Sequence, residues 1–360
     1  MTMRPSRYTP WKLLHQHDFL RALAKGERGA PVNIRLKPTN MCNHACSYCT
    51  YGNGDKENKI STRESFQRID SIAETKLLEI ADDIISMGVK AVTFSGGGEP
   101  LVHPASCQAA RRLREGGVEL ALITNGQLLR GQAAESFAHA RWVRVSLDSS
   151  DAQTYSLVRG VSPLAFAETL DNISSFSRIK SGDCVLGINY VVHPGNAARV
   201  YEAAGLIKEL GVDNVKFSAM LTNERHAHDA IKADVMRQLD RAQRDLADDS
   251  FSIIAAYGDE LRPGENTPAT FTRCLVCAMI TVIAADCKVY ACMSQAYNPK
   301  ALLCDLRAQS FKEAWFDPRT TARMAALTPA TDCGPVCSYA SRNSVLEHYL
   351  EVDQAHVNFI

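Results

Sequence analysis

VNIRLKPTNMCNHACSYCTYG, residues 32–52, carries a short β-rich run straight into a loop that holds Cys42, Cys46 and Cys49. Three and then two residues separate these cysteines, and spacing this short lets one loop wrap one metal group. Outward from this stretch, after the first run VNIRLK from Val32, β-rich runs alternate with longer segments of helical period. The runs are AVTFSG from Ala91, ELALIT from Glu119, WVRVSLD from Trp142, VLGINYVV from Val185 and NVKFSAM from Asn214. Helical stretches are expected over about 62–87, 105–116, 131–139, 164–178, 197–210 and 228–248. Six such βα units predict a parallel sheet in an α/β fold. Six in succession curve into an open, partial (β/α)6 TIM-like barrel, whose chemistry collects at the C-terminal ends of the strands. The cysteine loop stands at such an end.

A chain of 360 residues allows two or three domains, and 46% hydrophobic content supplies a full core. Its 40 Lys and Arg balance 40 Asp and Glu, which argues against a nucleic-acid partner and against a disordered acidic tail. No apolar run approaches the roughly 18 residues of a membrane span, and the start, MTMRPSRYTPWKLL, lacks the apolar core of a signal peptide. A cytoplasmic protein without a membrane partner is therefore expected. Twelve cysteines are too sparse for a disulfide scaffold, and in a reducing compartment they read as metal ligands or reactive thiols. Cys107 and Cys184 stand alone, while seven fall between 274 and 337.

The expected organisation is an N-terminal extension over 1–31, the barrel over 32–250, a linker over 251–270, a cysteine-rich domain over 271–340 and a closing helix and tail over 341–360. DELRPGENTPAT, from Asp259, marks the linker by its prolines and Gly264. Beyond it, Ile280–Ala284 and Lys288–Met293 alternate like a hairpin and Ser310–Leu327 reads as a helix. Too little apolar residue lies here for an independent core, which points to a metal staple.

Four thiolates complete a 4Fe-4S cube or a zinc tetrahedron, yet the first loop offers three. Either one iron is left open to another ligand, or His44 completes a Cys3His zinc site. The pattern Cys42-x3-Cys46-x2-Cys49, with Tyr48 before the last cysteine, resembles the radical S-adenosylmethionine (SAM) enzyme superfamily. That resemblance implies a 4Fe-4S cluster whose fourth iron is chelated by the amino and carboxylate groups of SAM. It also implies reductive cleavage of SAM to a 5′-deoxyadenosyl radical that takes hydrogen from an unactivated C–H bond, with an external one-electron reductant such as flavodoxin or ferredoxin. Gly97-Gly98-Glu99 in FSGGGEPLVHP resembles the motif that meets the SAM ammonium, the glycines allowing close backbone approach. Ser146 and Arg159 in VSLDSSDAQTYSLVRG match the serine and arginine that hold the SAM carboxylate, where a planar guanidinium can donate twice. Asp148 either touches SAM or substrate or caps the following turn. Asn125, Asn189, and Lys216 or Ser218 point from strand ends toward the same mouth.

FTRCLVCAMITVIAADCKVYACMSQ, from Phe271, followed by Cys333-Gly-Pro-Val-Cys337, resembles the auxiliary-cluster domain of the SPASM and twitch subfamilies. The match implies an auxiliary 4Fe-4S cluster on Cys274, Cys292, Cys333 and Cys337, with Cys277 as rival to Cys274. Two departures stand out. Cys287 and Cys304 occupy the usual glycine places, and three residues rather than two separate the closing pair. One closing pair favours the shorter twitch form with a single extra cluster, and a structural zinc site is the alternative.

The resemblance implies a mechanism and leaves the substrate open. Twitch members dehydrogenate sugars and aminocyclitols or act on peptides, and relatives epimerise or decarboxylate. A small polar, sugar- or aminocyclitol-like substrate is expected; Glu224, Arg225, His226 and His228 of the loop TNERHAHD either meet its hydroxyl or phosphate groups or belong to a solvated loop. The favoured reaction is a two-electron oxidation by a dehydrogenase, with the auxiliary cluster as electron acceptor. Alternatives are a redox-neutral epimerase or decarboxylase drawing hydrogen from Cys277, Cys287 or Cys304, a peptide-modifying enzyme, and a zinc-stapled interaction protein that binds no SAM.

Overall fold

The computed structural model describes residues 9–51, 63–220, 226–257, 271–333, 337–353 and 355–359. Strands form where the β-branched and aromatic runs lie: β1 (Asn33–Leu36), β2 (Ala91–Phe94), β3 (Glu119–Thr124), β4 (Trp142–Ser146), β5 (Val185–Val192) and β6 (Asn214–Ala219). They pair in chain order and all parallel. The first helix, α1 (His17–Ala24), precedes the sheet; α2 (Glu74–Ser86), α3 (Ser106–Glu115), α4 (Gln132–Phe137), α5 (Ala152–Arg159), α6 (Leu164–Ile179), α7 (Val200–Glu209) and α8 (Asp229–Leu246) make or follow the crossovers. Parallel strands joined this way all end at one mouth. The two periodicities separate the layers. Leu77, Ile80, Ala81 and Ile84 form the buried stripe of α2. On β1, Ile34 and Leu36 are fully buried in the core, while Arg35 and Lys37 alternate onto the other face and line the lumen.

A helix expected from about residue 62 begins only at Glu74, and residue 62 itself lies outside the described residues. The backbone ahead of α2 is committed elsewhere: Ile72 N–H donates to Pro38 O, Asn40 N–H donates to Asp70 O, and Thr39 bridges Ser71. Likewise the helix expected over Ser310–Leu327 is two, α9 (Phe311–Phe316) and α10 (Pro318–Ala326). Pro318 cannot donate to the preceding turn, and Asp317 breaks the run in an extended conformation, its side chain capping Arg319 N–H.

Four further strands extend the sheet. β7 (Ser252–Ala255) runs parallel to β6 inside the stretch read as a linker; residues 258–270 of that stretch lie outside the described residues. β8 (Ile280–Ile283) runs parallel to β1, and the expected hairpin continues through β9 (Lys288–Tyr290) to β10 (Leu302–Asp305), both antiparallel. The order is β10-β9-β8-β1-β2-β3-β4-β5-β6-β7, an unclosed and mostly parallel sheet: a partial TIM barrel with a cysteine-rich C-terminal part attached to its β1 side. After α11 (Pro329–Asp332), α12 (Ala340–Glu351) packs on the N-terminal segment. Leu13, Leu20, Leu275, Val276, Met279 and Leu346 form a small separate core there. Among the described residues, no helix is long and apolar enough to cross a membrane.

Candidate active site

A cavity of about 560 Å³ opens at the C-terminal ends of the strands. Cys42, Cys46, Tyr48, Cys49, Gly97, Gly98, Glu99, Ser146, Arg159 and Asn189 all line it, as do Asn125 and Ser218 but not Lys216. Residues on or just after five strands, β2 to β6, and from the cysteine loop thus converge on one space.

The cysteine loop is clamped by backbone on both sides. Gly98 N–H donates to Thr39 O (3.2 Å) and Glu99 N–H to Met41 O (2.9 Å). On the other side Ala45 N–H donates to Arg159 O and Ser47 N–H to Val158 O, each at 2.9 Å. A Cβ on Gly98 would stand 2.0 Å from Met41 O, and one on Gly97 2.2 Å from Asn40 Oδ1. The glycines expected to admit a ligand are therefore required first by the cysteine loop itself.

Glu99 is 3% exposed. Its Oε1 accepts from Leu101 N–H (3.1 Å) and Thr124 Oγ1 (2.8 Å), its Oε2 from Asn125 N–H (2.7 Å). A carboxylate offers about four lone-pair sites, so Oε2 retains one for a cation in the cavity. Burial pushes the carboxyl up to about 7, against the pull of these hydrogen bonds and of Arg159.

On the β4 side Asp148 is completely buried and has a left-handed backbone, φ 56°. It accepts from Arg159 Nη2 and Tyr48 OH on Oδ2, and from Val191 N–H (2.6 Å) on Oδ1. The helix cap that sequence offered to Asp148 belongs to Asp151, whose side chain accepts from Thr154 N–H. Arg159 thus spends one arm of its fork on Asp148 and turns Nη1 to Cys46 Sγ (3.6 Å). The two-handed grip expected for a SAM carboxylate is not open in this arrangement, and Nε is the buried donor without a protein partner.

These residues fit a SAM-chelated cluster. Burial pushes Cys42 up to about 11, with Glu99, Cys46 and Cys49 adding to it, and raises Cys46 against the opposing charge of Arg159. Cys42 and Cys46, raised in a dry wall, keep their protons until cationic iron supplies the opposite charge. Ser95 Oγ and Arg159 Nε, buried on cavity-lining residues and without protein partners, are the kind of orphans a polar ligand satisfies. His44, the candidate for a Cys3His zinc site, turns Nε2 to Gln127 Oε1 at 2.9 Å.

The second cysteine group gathers at the opposite, N-terminal end of β1 and β8. Cys274 lies just ahead of β8, and Cys292 follows Tyr290, which pairs with Val282. Burial first and then Cys274 raise Cys292 to about 12; burial, Cys274 and Cys337 do the same to Cys333, and Cys337 is raised by burial and Cys274. Cys274 is the thiol all three others sense. Its rival Cys277 is 1% exposed and turns its thiol to Cys274 O at 3.0 Å. No three Cys, His, Asp or Glu among the described residues converge closely enough to hold a single ion, whereas thiolates around a cube stand further apart. Met293, next to Cys292, lines the cavity from below.

None of the spare thiols reaches the cavity. Cys287 occupies the β8–β9 turn at φ 61°, and Cys304 is buried near Thr320, Arg323 and Arg28. The hydrogen-donor role expected for Cys277, Cys287 and Cys304 has no geometry behind it. Of the loop TNERHAHD, Glu224 and Arg225 lie outside the described residues. His226 is exposed and pairs with Asp229, while buried His228 meets Tyr257 OH and Met220 O. Neither histidine lines the cavity. Sequence reasoning missed Arg35, Lys37 and Arg68, which do line it. The signal was present in RLK, two cations two apart on one strand face.

Curated relatives match about half of this chain. An AdoMet-dependent heme synthase of Methanosarcina barkeri is 29% identical over 51% of this chain and 48% of its own length. A probable GTP 3′,8-cyclase of Saccharolobus islandicus is 26% identical over 52% and 56%. The chain therefore spans about half the length of the curated relatives it matches. Among solved structures, Streptococcus suis SuiB bound to S-adenosylmethionine superposes with a TM-score of 0.59 at 15% identity, over 94% of this chain and 80% of SuiB, and shares its fold. The model described as the Radical SAM superfamily matches residues 36–232, more than half of the chain, and the protein belongs to that superfamily, whose members use SAM and a 4Fe-4S cluster.

Proposed function

We propose that this radical SAM enzyme oxidises a small polar, sugar- or aminocyclitol-like molecule by two electrons, with an auxiliary cluster on Cys274, Cys292, Cys333 and Cys337 as electron acceptor. The observation that carries the reading is Met293: it lines the cavity and adjoins Cys292 in the chain, so cavity and second cysteine site share a wall. SAM bound at the first cluster supplies a 5′-deoxyadenosyl radical. The chain's own residues prepare for it. Cys42, Cys46 and Cys49 would hold the cluster, the free lone pair of Glu99 would receive the SAM ammonium, and Ser146 and Arg159 Nε would bind its carboxylate. Tyr48 and Asp148 lock Arg159 in place. The substrate would give up one hydrogen atom to the radical, one proton to a base and one electron to the auxiliary cluster beside Cys292, which balances a two-electron oxidation. A cavity near 560 Å³, shared with SAM, suits a small substrate.

Anaerobically reconstituted protein is expected to hold about eight irons, two cubes, and no zinc. With reductant and SAM it forms 5′-deoxyadenosine and methionine. About four irons plus one zinc per chain removes the electron acceptor and with it the oxidation. Once a substrate is in hand, turnover in deuterated water separates the reaction types: oxidation gives a product two mass units lighter, epimerisation one of substrate composition with a solvent deuterium at carbon.

A further inference from the structure

The cavity wall is electrically lopsided. Among its lining residues Glu99 is the single acid, against Arg35, Lys37, Arg68 and Arg159. Two of these five are accounted for: Glu99 is bound to β3 and its loop, and Arg159 is paired with Asp148. The other three cations stand on the β1 side, and none of them forms an ion pair with a carboxylate among the described residues.

Lys37 makes the case sharply. It is 1% exposed, and it donates to Tyr51 OH at 2.7 Å while its ammonium lies 4.3 Å from the centre of the Tyr51 ring and 5.3 Å from that of Tyr297. An ammonium has three protons to donate. One phenol and two ring faces offset part of its desolvation, yet a buried charge without a counter-charge is costly. Arg35 on the same strand face gives Nη1 to Met293 Sδ at 2.8 Å, a weak acceptor. Arg63 stands behind, 3.9 Å over the Tyr51 ring, and adds positive charge. Nothing in this arrangement serves the SAM carboxylate, whose candidate partners Ser146 and Arg159 belong to β4 and α5, three strands away in the sheet. The β1 face instead lines the lumen between the cysteine loop at the mouth and Met293 below it, which is where a substrate must sit for hydrogen to leave upward and an electron downward.

We infer that the substrate carries an anionic group, a phosphate ester or a carboxylate, seated by Lys37, Arg35 and Arg68. This rests on the proposed reaction and narrows its substrate class to phosphorylated or acidic polyols. Expected partners are Arg35 through the guanidinium protons not given to Met293, Lys37 as a buried point charge and Arg68 at the exposed rim.

Three probes on one carbon scaffold test it: glycerol, glycerate and glycerol 3-phosphate, titrated calorimetrically into the anaerobic, SAM-loaded holoenzyme. At least one anion should bind about tenfold or more tightly than glycerol, and the better of the two names the source of charge. Lys37→Met should weaken that anion about tenfold while raising Tm, because an uncompensated buried charge is removed; a merely structural lysine would lower Tm. Arg68→Gln, at an exposed position, gives a second loss of affinity that does not depend on how Lys37→Met folds. Binding of all three probes alike, no binding of either anion, or full anion affinity in both variants overturns the inference. Formation of 5′-deoxyadenosine by the wild type is measured in parallel. Its presence beside a failed titration leaves the proposed reaction standing, and its absence overturns the reaction and this inference together.

Discussion

The two cysteine sites are built on opposite plans. The proposed first site takes all its protein ligands from one loop, which backbone hydrogen bonds with Gly98, Glu99 and the end of α5 clamp on both sides. The proposed second site draws on Cys274 ahead of β8, Cys292 after β9, and Cys333 and Cys337 between α11 and α12, segments far apart in the chain. Asn343, fully buried on α12, accepts from Leu275 N–H at 2.6 Å and donates to Arg273 O at 3.0 Å, tying the Cys274 loop to the chain's last helix. A preformed loop can lose its metal and keep its shape. A dispersed site couples metal to folding.

The largest expected effect comes from breaking the first plan. Replacing Cys42, Cys46 and Cys49 by Ala abolishes 5′-deoxyadenosine formation and lowers iron from about eight to about four per chain, with little change in Tm. Persistent SAM cleavage in this variant would end the assignment of the loop. Cys292→Ala breaks the second plan: iron falls by a similar amount and uncoupled SAM cleavage survives, but Tm drops more than in the triple variant. Equal Tm values for the two proteins would contradict the contrast between a preformed and a dispersed site.

That contrast also governs what the sequence disclosed. Cys42, Cys46, Cys49 and the Gly97-Gly98-Glu99 turn are local patterns, each readable in a few residues, and β1–β6 follow from period-two and period-3.6 alternation. The pairing of β8 with β1 is non-local: nothing in ITVI says that its partner is NIRL, far back in the chain. The short β7 was lost beside the Pro- and Gly-bearing stretch that follows it. Asp148 was offered a cap because Asp before a helix commonly caps it, yet Asp151 three residues on took that place and freed Asp148 to bind Tyr48 and Arg159. Lys37 is not legible as a buried charge because its burial depends on Tyr51, in the loop after β1, and on Tyr297, far along the chain.

Intermediate effects probe the clamp. Gly98→Ala places a methyl against Met41 O, backbone that cannot swing aside, and should cost on the order of 1–3 kcal/mol with a loss of SAM affinity. Glu99 supplies a pH signature in the metal-free protein. Its carboxyl is raised from an ordinary 4.5 to about 7, so the folded state holds the proton more tightly than the unfolded chain. Its contribution to stability is full below about 4.5, declines as pH rises toward 7 and is flat above. Urea midpoints at pH 5 and 7.5 should differ in that direction for the wild type. The difference should shrink in Glu99→Gln, which also loses stability at both pH values because its amide faces Asn125 N–H donor to donor.

The smallest effect sits at Cys287, where the resemblance to the twitch-type domain implies glycine. The β8–β9 turn holds this residue at φ 61°, a conformation that costs a side-chain-bearing residue about 1–2 kcal/mol. Glycine removes that strain but makes the unfolded chain more flexible, which returns about 0.5–1 kcal/mol. The thiol is only partly buried against the core, so little packing is lost. Cys287→Gly should therefore stabilise the protein by about 0.5 kcal/mol, read as a small rise in the urea midpoint at unchanged slope. The same variant bears on the reaction. Because Cys287 does not line the cavity, oxidation product should form at the wild-type rate. A variant that cleaves SAM but no longer completes turnover would instead make this thiol a hydrogen donor and turn the enzyme toward redox-neutral chemistry.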